Sequence, residues 1–218
     1  MLRVRPTLIT TDPQLLGDLL PALGMVQQQG TAFFDAGGGR IALQPGTAEL
    51  TLLGFEAGVL EEFARRTAES GTAAEVIRDA AGMTAVRVEA PGQTIPVDQG
   101  DRLLDPDVDH ALTVVCIWST PDPQRAARML RDIGARPHGP AAEATDFTAK
   151  NGGRVVVRTG GHQYFQVGFD YAGDVADLRL RVQHAGFSAE MSGTGRNRIL
   201  TVPVSAHRSF TISERPEG

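Results

Sequence analysis

Asp105, Asp107 and Asp109 stand at alternate positions of "DRLLDPDVDH", the spacing with which a loop offers carboxylates to calcium. The rest of the loop does not follow. Its sixth position is His110 where the turn needs glycine, and its twelfth is Cys116 where a bidentate glutamate is needed. The aspartates therefore read as a solvated acidic linker. Five histidines could ligate a metal or carry protons, but His110, His138, His162, His184 and His207 are dispersed. His162 opens the strand-like run "HQYFQVGFD"; His138 lies in "RPHGP", His184 on a helix-like stretch and His207 at a turn. A surface or hydrogen-bonded role suits them. Cys116 is the only cysteine, so an internal disulfide and a cysteine zinc cluster are both excluded, and it reads as a small apolar strand residue.

Familiar motifs are missing as well. The chain has no H-E-x-x-H, no G-x-S-x-G and no lysine preceded by glycine, the last of which rules out a Walker-type phosphate loop. "SGTGR" from Ser192 lacks the strand-then-helix context of a dinucleotide loop and reads as a turn. The 218 residues are 41% hydrophobic and 22% charged, ordinary for a globular chain with material for a core. The net charge of -5, with basic residues scattered, argues against nucleic acid and anionic membrane as partners. Lys150 is the only lysine, so nearly all positive charge is arginine. No secretory signal and no run of about 20 apolar residues is present, which points to a cytoplasmic protein.

The elements that would position any site come in two copies. Asp12-Pro13-Gln14 matches Asp122-Pro123-Gln124 at a spacing of 110, which also carries Leu20 onto Leu130, Leu23 onto Ile133 and Gly24 onto Gly134. Each copy predicts a helix: Asp caps the first turn, Pro suits the first helical position, and Gly follows the last turn. The capping role accounts for Asp12 and Asp122 without catalysis. Leu15, Leu16, Leu19, Leu20 and Leu23 form one apolar face, and Ala126, Met129, Leu130 and Ile133 form the other; Pro21 is expected to kink or end the first helix early.

Downstream, "GGRIALQPG" answers "GGRVVVRTG", and Gly54-Phe55-Glu56 answers Gly168-Phe169-Asp170, both at a spacing of 114. A second helix follows in each copy, with Leu60, Phe63, Ala64 and Thr67 in one and Val175, Leu178 and Val182 in the other, closed by Gly71 and Gly186. Two β-rich stretches, "MTAVRVEAPGQTIPV" and "RNRILTVPVSAHRSFTIS", complete the halves. The duplication divides the chain into a first module at 1–101 and a second at 110–218, with an acidic linker at about 98–109.

This order, strand, Asp-Pro helix, Gly-Arg strand and "GFE" or "GFD" strand end, written twice, resembles the vicinal oxygen chelate superfamily of glyoxalases, bleomycin-resistance proteins and extradiol dioxygenases. The resemblance implies an α+β fold of two tandem βαβββ modules, with curved mixed sheets forming a cup and helices outside. Catalytic relatives hold a divalent metal on His and Glu side chains. The implied positions are Arg5, Leu50 and Pro96 in the first module, and Val114 or Val115, Tyr164 and Ile212 in the second. None is a good ligand, and a one-residue slip would add only Glu49, short of the three ligands a catalytic site needs.

The resemblance and strand alternation together nominate a cavity wall. Arg5, Thr7, Leu50 and Leu52 come from the first module, and Cys116, Trp118, Tyr164 and Gln166 from the second, with Gln44 and Arg158 at the rim. Trp118 and Tyr164 either line such a cavity or fill it as core. The expected function is metal-free binding of a small drug or metabolite, as in the bleomycin-resistance branch, by a monomer or homodimer with no cofactor. A metal-dependent lyase or dioxygenase, and a non-catalytic structural or regulatory module, are the alternatives.

Overall fold

A computed structural model describes residues 1–78, 82–101, 105–138, 145–195, 198–206 and 208–215. The first half runs β1 (Leu2–Val4), β2 (Thr7–Thr10), α1 (Pro13–Ala22), β3 (Val26–Gln27), β4 (Phe33–Asp35), β5 (Arg40–Pro45), β6 (Leu50–Leu52), β7 (Phe55–Ala57), α2 (Leu60–Glu69), β8 (Ala74–Arg78), β9 (Thr84–Ala90) and β10 (Gln93–Gln99). The second runs β11 (Leu112–Thr120), α3 (Pro123–Asp132), β12 (Arg136–Pro137), β13 (Asp146–Thr148), β14 (Arg154–Thr159), β15 (Tyr164–Tyr171), α4 (Val175–His184), β16 (Glu190–Ser192), β17 (Ile199–Ser205) and β18 (Arg208–Glu214).

The α+β expectation holds, with three mixed, open sheets and no closed barrel. The second half forms one sheet in the order β12-β13-β14-β11-β15-β18-β17-β16. The first half repeats that order in two pieces, β3-β4-β5-β2-β6 and β1-β7-β10-β9-β8. Two interruptions account for the difference. The single strand β11 corresponds to β1 plus β2, broken where Pro6 has no N–H to give, and β15 corresponds to β6 plus β7, broken at Leu53-Gly54.

The predicted caps are present. Asp12 Oδ1 accepts the Leu15 N–H at 3.0 Å and Asp122 Oδ1 accepts that of Arg125 at 3.1 Å. Gly24, Gly71, Gly134 and Gly186 follow the four helices with positive φ. Pro21 does not shorten α1, which has ten residues like α3, because the proline falls in the last turn and costs a single backbone bond there. Two of the linker aspartates shape turns. Asp105 Oδ1 accepts the Asp107 N–H, and Asp109 Oδ1 accepts that of Ala111.

By contact the chain forms two compact units, each drawing on both halves of the repeat. Unit 1 comprises Met1–Pro6, Leu53–Leu103 and Cys116–Gln166. Its core joins Val4, Phe55, Val86 and Val97 to Trp118, Phe147 and Phe165, with Leu60 and Ala64 of α2 and Ala126, Met129 and Leu130 of α3. A glycine-rich turn knits its segments: the Val4 N–H donates to Gly152 O at 3.0 Å, and the Asn151 N–H to Leu2 O at 2.8 Å.

Unit 2 comprises Thr7–Leu52, Leu104–Val115 and Val167–Gly218. Its core holds Leu8, Phe34 and Ile41, Leu16, Leu19 and Leu20 of α1, Val175, Leu178 and Val182 of α4, and Leu200 and Ile212. Phe169 meets Phe210 edge-on at 5.5 Å. The same stitch recurs, with the Val114 N–H on Gly38 O at 2.7 Å and the Gly38 N–H on Leu112 O at 2.9 Å. Here the glycines are obligatory by space, since a Cβ on Gly37 would lie 2.5 Å from His110 Cα and one on Gly38 2.7 Å from Thr113 Oγ1.

Candidate functional site

The nominated residues fall into two sets, one in each unit. In unit 2, β2 pairs with β5 so that Thr7 faces Ala42 and Ile9 faces Gln44, and with β6 so that Thr7 faces Leu52 and Ile9 faces Leu50. Alternation then puts Thr7, Ile9, Ala42, Gln44, Leu50 and Leu52 on one face, opposite the buried Leu8 and Leu43. Leu50 is 52% exposed and Leu52 43%.

In unit 1 the corresponding strands are β14, β11 and β15. The Gly160 N–H donates to Thr120 O at 3.0 Å, as the Gly46 N–H does to Thr10 O at 2.9 Å. This bond sets Arg158 beside Ser119 as Gln44 sits beside Ile9. On the other flank of β11, Tyr164 and Gln166 alternate with the buried Phe165 and share the open side. Tyr164 is 41% exposed, and the ring of His162 lies 5.3 Å from its own. The row runs Arg158, Ser119 and Tyr164 across three adjacent strands; Arg158 and Tyr164 are exposed while Ser119 between them is buried, and Ile117, Val156 and Gln166 lie in the next row.

Trp118 and Cys116 are not on this face. Trp118 is fully buried against Phe165, with ring centroids 5.6 Å apart, and belongs with Cys116 to the core that includes α3. The physical reason is a register offset of one residue: the repeat spacing of 110 puts Trp118 at the place of Leu8, a core residue, and Ile117 at that of Thr7. Ile117 and Ser119 were missed for the same reason, although the spacing contained the signal.

Arg5, directly after the end of β1, is not open to a ligand. Its guanidinium is buried in unit 1, bonded to Asp98, with Nε 3.7 Å from Glu56 Oε1. The neighbouring Arg3 is buried as well and meets Glu56 at 3.2 Å. Alternating pairs across β1, β7 and β10 align Arg3, Glu56 and Asp98 in one row. Charges buried this deeply are tolerated because each is paired.

The resemblance noted in the sequence implies a metal, and the residues present can be tested for fit. Val114 and Ile212 are fully buried core residues, Val115 is buried too, and Leu50, Pro96 and Tyr164 offer no carboxylate or imidazole. Arg5 adds a cation where a ligand would stand. Glu49 is already spent: Oε1 accepts from Thr10 Oγ1 and the Thr11 N–H, each at 2.8 Å, and Oε2 lies 2.7 Å from Arg208 Nη1. Burial alone would raise the Glu49 pKa, but these hydrogen bonds and the arginine together hold it below the ordinary carboxylate value. Among the described residues no group of three His, Cys, Asp or Glu could hold an ion. The donor set does not fit a divalent metal. The four described histidines are exposed and apart, and His207 lies outside the described residues.

On the helix-bearing side of unit 1, a cleft of about 490 Å³ opens between α2, the end of α3 and the chain around Leu2 and Lys150. No sequence signal singled it out, because its walls come from four separate segments of the chain.

No family model and no curated protein sequence matches the chain. Solved structures do match in fold. A catechol 2,3-dioxygenase superposes with a TM-score of 0.63 at 14% identity, covering 98% of this chain and 87% of that one. The Mn(II)-bound glyoxalase from Novosphingobium aromaticivorans gives 0.59 at 14%, covering 99% and 81%. A trihydroxybiphenyl dioxygenase from Sphingomonas wittichii gives 0.62 at 12%, covering 98% and 89%. The chain therefore has the vicinal oxygen chelate fold. Identities this low speak to fold alone. Among the described residues no helix is long and apolar enough to cross a membrane.

Proposed function

We propose that the protein is a metal-free small-molecule binding protein of the glyoxalase and bleomycin-resistance type, acting in the cytoplasm and taking its ligand on the open sheet face of β14, β11 and β15. The observation that carries this reading is the row Arg158, Ser119, Tyr164. Adjacent strands are about 4.8 Å apart, so the row spans about 10 Å, the length of a substituted aromatic acid. A guanidinium at one end suits a carboxylate and an exposed aromatic ring at the other suits a planar body, with the buried Ser119 as the floor between them. The first copy supplies the contrast. Its row of Gln44, Ile9 and Leu50 has neither cation nor aromatic ring.

The test is thermal melting of chelator-treated protein with benzoate, salicylate and phthalate. A ligand-dependent rise in Tm is expected, abolished by Arg158→Ala, reduced by Tyr164→Ala and unchanged in Gln44→Ala. Stoichiometric divalent metal in the purified protein, with the response lost on chelation, would overturn the reading in favour of a metal-dependent lyase or dioxygenase.

A further inference from the structure

The cleft of unit 1 gathers basic side chains from three separate segments: Arg66 on α2, Arg131 in the last turn of α3 and Lys150 in the turn after β13. Two acidic residues line it too, and both have partners. Glu62 accepts from Arg65 and, at 2.5 Å, from Arg66 Nε, and Asp132 accepts the Thr72 hydroxyl at 2.6 Å. Three positive and two negative side chains leave the lining at +1 in a chain of -5. Lys150, the only lysine, makes no ion pair among the described residues. The same lining includes the apolar Leu2, Phe63 and Ile133, of which Leu2 and Ile133 are buried.

The cleft lies on α2 and α3, elements that contribute nothing to the open sheet face. We infer that it is a second binding site, for a small amphipathic carboxylate whose head group pairs with the Lys150 ammonium and whose apolar tail covers Leu2, Phe63 and Ile133. The volume falls in the range of small-molecule sites. A cationic rim over an apolar floor selects for charge and tail together. A phosphate or acetate ion could satisfy the rim alone, and a neutral alkane the floor alone.

A single lysine makes the test direct. Reductive carbon-13 methylation of the full-length protein preserves the positive charge and gives one lysine dimethylamine resonance beside that of the α-amine. Titration with octanoate should move that resonance along a saturating curve, with a midpoint at least roughly tenfold below that of acetate, because several methylenes become buried. Phe63→Ser should raise the octanoate midpoint and leave acetate unchanged. Lys150→Gln, followed through the Leu2 and Ile133 methyl signals, should weaken octanoate by about tenfold. Equal midpoints for octanoate and acetate, or no octanoate response, would overturn the inference. Arg158→Ala should leave the titration intact, so failure at this cleft is distinguishable from failure on the sheet face.

Discussion

Trp118 and Phe165 pack ring against ring, centroids 5.6 Å apart and planes tilted by 48°, inside the core of unit 1. The indole N–H finds no acceptor among the described residues, so the contribution of this side chain is packing. Trp118→Ala should cost about 3–5 kcal/mol in denaturant unfolding, as expected for emptying a large buried site. Trp118→Phe should cost less than half as much, since it also removes an unsatisfied donor. A folded Trp118→Phe protein should keep the melting response to aromatic acids, because the indole faces away from the proposed ligand.

Glu49 gives a stability term with a defined pH window. Its folded pKa lies below the unfolded value of about 4.3, so the stabilisation is fully present above that pH and is lost as the pH falls through the folded pKa. The wild-type protein should therefore lose more unfolding free energy than Glu49→Gln between neutral pH and pH 3. Glu62, held at about 2 first by its hydrogen bond from Arg65 and then by that from Arg66, is at the surface and common to both proteins. Parallel acid-unfolding curves for the two proteins would refute the assignment.

Cys116 is fully buried, and desolvation pushes its thiol well above the ordinary range. A disulfide reagent such as dithionitrobenzoate should leave the native protein unlabelled at pH 8 and react with one equivalent in guanidinium. The rate in intermediate denaturant should follow the unfolded fraction. Fast labelling without denaturant would show that the β11 core opens locally.

Local chemistry was the legible part of the sequence. Asp12 and Asp122 announced two helices, and the glycines after them fixed where those helices stop. The doubled order of segments announced the sheets. Pro6 also carried a readable break, since a residue without an N–H is a poor member of a central strand. The pairing of one copy's front with the other copy's back was not legible, because it depends on contacts about a hundred residues apart that no periodicity reports. Faces were half legible. Tyr164, Gln166, Thr7, Gln44 and Leu50 lie on open faces as strand alternation suggests, while Trp118 went to the core because a shift of one residue exchanges the two faces of a strand. The burial of Arg5 was hidden too, since its partners Glu56 and Asp98 stand on strands fifty and ninety residues away.

Glycine substitutions separate crowded positions from merely flexible ones. A methyl on Gly37 would stand 2.5 Å from His110 Cα, and one on Gly168 2.8 Å from Thr211 O; both obstacles are backbone and cannot rotate away. Gly37→Ala and Gly168→Ala should each destabilise by about 1–3 kcal/mol, the usual cost of forcing packed backbone apart. Gly17 is the counter-case, lying inside α1 with no atom within 4 Å of an added Cβ and no positive φ. Gly17→Ala should stabilise by about 0.5–1 kcal/mol through the lower backbone entropy of the unfolded chain. Chemical melts of the three variants at one temperature give the comparison. A Gly37→Ala protein as stable as the parent would mean that the 110–114 segment does not lie against the glycine turn, and the stitch that joins the segments of unit 2 would have to be redrawn.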